Sequence, residues 1–298
     1  MIIITGASGF VGQNLSAYLS QKNIEVKGIS LRNQNWKNDF DKNATAIIHL
    51  AGKAHDTSNT AEEAEYLSVN RDLTIALFNE FLKSDFRDFF FFSSVKAVAD
   101  EVEEVLTEEV IPMPKTLYGK SKLEAETYLL NQYLPANKRL FIIRPCMIHG
   151  PGNKGNLNLL YQLVQKGIPW PLAVYENQRS FLSIDNLNFL VEKMLASDVP
   201  SGVYNMADDE SVSTICLIKL IGKTTKRKIK LWKIPRKLIS FAAKTGDVVG
   251  LPLNSERLKK LTENYIVSNQ KLKNALNIHK LPVSSEEGLE KTIKCFKN

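Results

Sequence analysis

The sequence predicts an α/β protein built on a doubly wound parallel sheet, with a smaller α/β C-terminal lobe. Three observations carry that expectation. A short apolar run from Met1 to Ile4 opens into a glycine turn, Gly6-Ala7-Ser8-Gly9-Phe10-Val11-Gly12, and then into an apolar-periodic stretch through Leu15, Tyr18 and Leu19. Over the first 95 residues, apolar runs alternate with helix-patterned stretches, the order that lays parallel strands beside crossover helices. The run Phe89-Phe90-Phe91-Phe92 is continuously apolar rather than alternating, which suits a strand covered on both faces.

Each element then has a reason. In the first turn, Gly6 lets the chain bend sharply, Gly9 has no side chain to hold phosphates away, and Gly12 permits close packing of helix on strand. The free N–H groups of that helix start and its positive dipole end favour a pyrophosphate. A second strand, Ile24 to Ser30, ends in Ser30-Leu31-Arg32-Asn33. No carboxylate stands there to bond a ribose 2′-hydroxyl, and Arg32 can pair with a 2′-phosphate, so NADP(H) is favoured over NAD(H). A third strand, Ala46 to Leu50, leads into Ala51-Gly52, small enough for a cofactor to pass close by. His49 reads as a packed, hydrogen-bonded histidine. Lys53, Ala54 and His55 enter a polar loop, Asp56 to Glu65, expected to face the substrate.

Tyr66 to Lys83 has a helical pattern and includes Val69-Asn70; the strand from Asp88 ends in Ser93-Ser94. An acidic loop, Asp100 to Pro114, precedes Tyr118-Gly119-Lys120-Ser121-Lys122, which opens a helix reaching about Tyr133. Leu140 to Arg144 is another buried strand, followed by Pro145 and the turn His149-Gly150-Pro151-Gly152. Arg179 to Asp185 is expected to return to the sheet as a short strand, and from Thr214 the chain is basic and mostly helical. The resulting division is a Rossmann-type dinucleotide domain over 1–150, with a returning segment near 180–205, and a second lobe over 151–179 and 206–298.

Composition bounds the function. The 298 residues, 44% hydrophobic and 24% charged, are ordinary for a globular chain with a sizeable core. The first strand begins at Met1, so no signal peptide is expected, and no apolar run approaches the roughly 20 residues of a membrane span. Cys146, Cys216 and Cys295 are odd in number and widely spaced, pointing to a reducing, cytoplasmic setting without disulfide framework or metal site. The net charge of +7 is concentrated in Lys219 to Lys237. A solvated face is the plainer reading, and contact with anionic lipid the alternative. No nucleic-acid fold signature accompanies the charge, so no nucleic-acid partner is expected.

Tyr118 and Lys122 are four residues apart and share a helical face. Moving a proton at a secondary alcohol during hydride transfer is work for a tyrosine whose pKa falls from about 10. A neighbouring ammonium favours the phenolate, and Lys122 can also bond the cofactor ribose. Ser94, at a nearby strand end, can hold the substrate oxygen.

Together these motifs resemble the extended short-chain dehydrogenase/reductases, in the branch of NAD-dependent epimerases and dehydratases acting on nucleotide sugars. The resemblance rests on Thr5-Gly6-Ala7-Ser8-Gly9-Phe10-Val11-Gly12, His49-Leu50-Ala51-Gly52, Val69-Asn70, Ser93-Ser94, Tyr118 to Lys122, Arg144-Pro145 with Gly150-Pro151-Gly152, and Arg179-Ser180-Phe181. It implies cofactor contacts from Gly6, Ser8, Gly9, Phe10, Val11, Gly12, Arg32, Leu50, Ala51, Gly52, Asn70, Tyr118 and Lys122. It implies catalytic roles for Ser94, Tyr118 and Lys122, and substrate contacts from Ser94, Lys96, Asn156 and Arg179, with Arg179 on the diphosphate of a nucleoside-diphosphate sugar, most simply a UDP-sugar. A homodimer through the Tyr118 helix is implied as well.

Departures narrow the choice. The family's 4,6-dehydratases carry Asp-Glu where this chain has Val95-Lys96, which excludes that activity, and the usual tyrosine before Gly-Pro-Gly is His149. The Leu50 to His55 run, Ser94-Val95-Lys96 and the tail from Leu261 to Asn269 are most similar to a bacterial polysaccharide subgroup that reduces UDP-4-keto-6-deoxy-N-acetylglucosamine. Three readings stand: a 4-keto reductase using NADPH, a UDP-sugar 4-epimerase retaining NAD, and a non-catalytic sugar-nucleotide-binding protein. The missing carboxylate after the second strand favours the first.

Overall fold

A computed structural model describes residues 1–33, 35–53, 62–153, 156–249 and 254–296. The first part of the chain forms β1 (Ile2–Thr5), α1 (Phe10–Gln21), β2 (Val26–Ile29), β3 (Ala46–His49), α2 (Glu63–Leu67), α3 (Leu73–Lys83) and β4 (Asp88–Phe92). Next come β5 (Val105–Leu106), α4 (Leu117–Leu130), β6 (Arg139–Pro145), β7 (Met147–His149), α5 (Asn156–Gln165), β8 (Phe181–Ser183), α6 (Ile184–Ala196) and β9 (Gly202–Met206). The remainder is α7 (Thr214–Thr225), α8 (Arg236–Val249), α9 (Ser255–Thr262), β10 (Ile266–Val267), α10 (Gln270–Leu276) and α11 (Ser285–Cys295).

Six strands form one parallel sheet in the order β2-β1-β3-β4-β6-β9. The order reverses at β1, which lies between β2 and β3, with Thr5 paired to Ile29 on one side and His49 on the other. Ligands of such sheets bind beyond the strand C-termini at that switch point, and here the glycine turn leaves β1. The phenylalanine run of β4 explains the two layers. Alternate side chains face opposite sides, so Phe89 and Phe91 join Leu77, Phe78 and Leu129 on one face, while Phe90 and Phe92 join Leu15, Leu187 and Tyr204 on the other. A third apolar cluster gathers Leu157, Trp170, Phe181, Leu217, Ile221 and Leu289.

The strand expected at 179–185 is shorter and placed differently. Phe181–Ser183 pairs with β7 in a separate two-stranded sheet; Gly202–Met206 is the strand that joins the main sheet, beside β6. Arg179 instead exchanges backbone hydrogen bonds with Val212, at 3.1 and 2.8 Å. The helix expected to reach about Tyr133 is shorter: α4 ends at Leu130, and Tyr133 is exposed.

Beyond β9 a run of three carboxylates joins distant parts of the chain. Asp208 accepts from the Ser183 N–H and from Asn186 Nδ2, both on the start of α6. Asp209 accepts from Asn269, Lys273 and the Leu281 N–H. Glu210 accepts from the Ser285 N–H at the start of α11. Burial works to raise the Asp209 pKa, but the bonds from Leu281, Lys273 and Asn269 outweigh it and hold the carboxylate below its ordinary range.

Candidate active site

The glycine turn is built for close approach. Gly6 has φ +71°, and a Cβ there would stand 2.6 Å from the Ala51 nitrogen, so β1 and β3 can present their ends side by side only with glycine. A Cβ on Gly12 would meet the Gly6 oxygen at 2.3 Å; the helix thus presses on the turn itself rather than on the body of the strand. Gly9 is the N-cap of α1 and supplies no side-chain cap, and the first turn holds no acidic residue. The backbone donors of Phe10, Val11 and Gly12 therefore form an uncapped, positive helix start. This cradle fits the pyrophosphate of a dinucleotide.

Gly52 crosses the end of β3 under similar constraint. A Cβ there would come 2.9 Å from Asn70 Oδ1 and 3.2 Å from Lys122 Nζ. Asn70 sits on a wide π-helical turn, Ser68–Asp72, between α2 and α3. Its side chain is fully used: Oδ1 accepts from the Lys53 N–H at 2.8 Å, and Nδ2 donates to the Lys53 carbonyl and to Ser121 Oγ at 3.1 and 3.0 Å. Ser121 donates in turn to the Tyr118 carbonyl at 2.8 Å. Asn70 thus braces the end of β3 against α4. His49 supports this brace from beneath, between Thr5 Oγ1 at 2.6 Å and Thr74 Oγ1 at 2.9 Å. It is a packed histidine: burial first, and the Lys122 charge second, lower its pKa to about 3, so the ring is neutral.

Tyr118, Lys122 and Ser94 meet at one cavity of about 290 Å³, which Val11, Leu50, Gly52, Phe92 and Cys146 also line. The Tyr118 and Ser94 hydroxyls share a hydrogen bond. Gly119 makes that meeting possible. A Cβ on it would fall 2.3 Å from the Lys96 carbonyl, so only glycine lets α4 abut the turn that follows Ser94. Thr116 caps α4 through the Gly119 N–H at 3.2 Å, and Asp100 secures the approach by accepting from the Lys115 N–H at 2.7 Å.

The electrostatics differ from the sequence-based expectation. Tyr118 is not drawn below its ordinary value; burial raises its pKa, Tyr66 adds to the rise, and the Ser94 bond opposes it. The Lys122 ammonium donates to the Phe92 carbonyl at 2.9 Å, and burial lowers its pKa to about 8, with Glu126 working the other way. Desolvation penalises the charged forms of both groups and is the largest influence on each.

Glu126 is a residue the motif reading passed over. It lies one turn beyond Lys122, is buried, and is gripped by Arg144 through Nε at 3.0 and 3.1 Å and Nη2 at 2.5 Å. Ser93 Oγ also donates to it. The signal was the four-residue spacing from Lys122, continued along the same helix face.

Other expected site residues lie apart from this centre or face elsewhere. Lys96 folds back, with Nζ donating to the Asp100 carbonyl at 2.8 Å and lying 4.2 Å from the Tyr265 ring centre. Arg179 lies in that neighbourhood, its pKa lowered by burial and supported by Glu263 and Tyr265. Arg32 is exposed beyond β2, and Ser8 is exposed in the glycine turn. The Asn156 side chain and the loop from Ala54 to Ala61 lie outside the described residues. His149 is structural: Nδ1 and Thr292 Oγ1 are 2.9 Å apart, and Nε2 lies 3.6 Å from Asp208.

The fold and the glycine cradle define a nicotinamide-dinucleotide enzyme of the extended short-chain dehydrogenase type. The chain belongs to the NAD dependent epimerase/dehydratase family, whose model matches residues 2–207. It is 29% identical to a UDP-glucose 4-epimerase of Vibrio cholerae, over 99% of this chain and 95% of that protein. It is 24% identical to a GDP-6-deoxy-D-mannose reductase of Pseudomonas aeruginosa, over 80% and 84%. The structure of RMD from Pseudomonas aeruginosa complexed with NADPH superposes with a TM-score of 0.78 at 20% identity, covering 100% of both chains. Nucleotide-sugar epimerase or reductase chemistry is thereby the class of activity. Among the described residues, no helix is long and apolar enough to cross a membrane.

Proposed function

We propose that the protein is an NADPH-dependent reductase of a UDP-linked 4-keto-hexosamine, used for surface polysaccharide. The observation that carries the reading is the meeting of the buried Tyr118 and Ser94 hydroxyls at the cavity. Burial holds the phenol above its ordinary pKa while Ser94 binds its oxygen. A phenol so held keeps its proton at neutral pH and can serve as the proton source for ketone reduction.

In this mechanism the cofactor, when bound, supplies the hydride. Tyr118 donates its proton to the C4 oxygen as that oxygen gains negative charge. Ser94 holds the same oxygen by hydrogen bond. Lys122 bonds the ribose hydroxyls, and the α1 start holds the pyrophosphate. Arg32 receives the 2′-phosphate, Arg179 the sugar-nucleotide diphosphate. Residues 151–179 and 206–298 would form the sugar-nucleotide lobe, and α4 the face of a homodimer.

A second reading, a UDP-sugar 4-epimerase retaining NAD, is favoured by the full-length likeness to the Vibrio cholerae 4-epimerase. Denaturing the purified protein and identifying released nucleotide separates the two. Protein free of nucleotide that oxidises NADPH only with a UDP-4-keto sugar supports the reductase. Stoichiometric NAD and interconversion of 4-epimers would overturn it. Tyr118→Phe should abolish turnover and keep sugar-nucleotide binding; failure of wild type on every such sugar would leave only a binding protein.

A further inference from the structure

Between Glu210 and Asp247 the chain has ten lysines and arginines and no acidic residue. With a net charge of +7 overall, the rest of the molecule is net acidic, so this positive segment is set apart. Lys226, Arg227, Lys228, Lys230 and Lys233 are all exposed. The segment ends in α8, whose outward side carries a second asymmetry.

At roughly 100° per residue, Ile239, Ala243 and Gly246 share one face of α8, and this face is buried. Leu238, Phe241, Ala242, Thr245 and Val249 fall together on a second face, and it is exposed. Leu238 is 61% exposed, Phe241 72% and Val249 66%. Lys237 and Lys244 fall on a third face, on the far side of Phe241, also exposed. Arg236, Ser240 and Asp247 complete the solvent side beyond those lysines, with the Asp247 carboxylate accepting from the Ser255 N–H and Oγ. Next to the apolar stripe itself the charges are the two lysines. Four residues before α8, Trp232 exposes 54% of its surface. Its backbone is pinned, donating to the Trp170 carbonyl at 2.9 Å and accepting from the Ala173 N–H at 3.3 Å, so the ring is held outward.

We propose that α8 and Trp232 form a docking face for an anionic lipid surface. An apolar stripe edged by lysines is the pattern that lies in the plane of a bilayer interface, with the apolar side chains in the headgroup–acyl boundary and the cations at phosphate level. Tryptophan is enriched at that depth. A partner protein or a second copy would cover the apolar stripe equally well, but the exposed cations that lead into it, from Lys226 to Lys237, and the lysines that edge it favour an anionic surface. This reaches beyond the catalytic reading and does not depend on it.

The test uses the intact protein with vesicles of phosphatidylcholine alone or with about one third phosphatidylglycerol. Trp36 and Trp170 are buried, so a blue shift of the remaining tryptophan reports Trp232. Co-sedimentation and a blue shift are expected with anionic vesicles only, both weakening as salt shortens the screening length. Lys237→Gln with Lys244→Gln should lower partitioning about thirtyfold, at about fivefold per cation near such a surface. Leu238→Ser with Phe241→Ser should abolish the shift and leave turnover in solution unchanged. Absence of binding to anionic vesicles, or binding indifferent to both double variants, would overturn the proposal. So would loss of a larger species in light scattering for Leu238→Ser with Phe241→Ser in protein that binds no vesicles, which would assign the face to a second copy.

Discussion

Arg144 holds Glu126 by both carboxylate oxygens in a fully buried pair, one hydrogen bond from Ser93 at the cavity wall. Each charge is dry, so either one alone is costly. Glu126→Ala and Arg144→Ala should each destabilise by about 3–5 kcal/mol, and the double variant should lose less than the sum. Urea unfolding of the four proteins gives the coupling. Additive losses would mean that the pair is not energetically joined.

Lys122 is depressed to about 8 by burial. The unfolded state therefore binds its proton more tightly, and folding stability rises with pH between about 8 and 10.5 while the full penalty is present below 8. Lys122→Met should raise the melting temperature at pH 7 and abolish turnover, trading function for stability. In wild type, kcat/KM for ketone reduction should fall as pH rises through about 8. Lys122→Arg should move that limb upward if it retains activity; an unmoved limb assigns the titration elsewhere.

His49 has its pKa lowered to about 3 by burial, from an ordinary 6.5. Its stabilising contribution is complete above 6.5 and is lost as pH falls toward 3. Wild type should lose about 2 kcal/mol between pH 7 and 5 from this group. His49→Gln should be less stable at pH 7 but show a flatter profile across that interval, measured by urea midpoints.

Gly119→Ala sets two effects against each other. Helix propensity favours alanine by about 1 kcal/mol. The new Cβ would stand 2.3 Å from a backbone carbonyl, and that clash should win. The start of α4 must shift, parting Tyr118 from Ser94. A fall in kcat of at least about tenfold is expected from misplacement of this order, with cofactor affinity nearly unchanged in a fluorescence titration. Loss of both together would indicate general unfolding.

Arg32→Ala should raise the KM for NADPH by about 10- to 100-fold, the worth of a charged hydrogen bond, and leave NADH nearly untouched. Equal effects on both cofactors would remove Arg32 from the 2′-phosphate.

The legible part of this molecule was backbone-driven. The glycine turn after β1, the buried phenylalanines of β4 and the Tyr118–Lys122 face are local patterns, and each lies where its spacing put it. The pairing of β8 with β7 was not legible, because a three-residue apolar strand carries no mark of its neighbour. Nor was the direction in which burial moves Tyr118: spacing gives the distance to Lys122 along the helix but not the dryness around both. Gly119 was visible as a letter, yet its reason is the Lys96 carbonyl, brought from another element. His149 gained its role only once α11 folded against β7.

The carboxylate run after β9 also says something about the order in which the chain can be completed. Asp209 is bonded to groups 60 and 72 residues further on, and Glu210 to one 75 further on. A nascent chain that has just released β9 has only water to offer these acids. Loop closure of that span comes late and is slow relative to local helix formation. The final segment, though far from the cavity along the chain, is what completes the last strand's corner of the sheet.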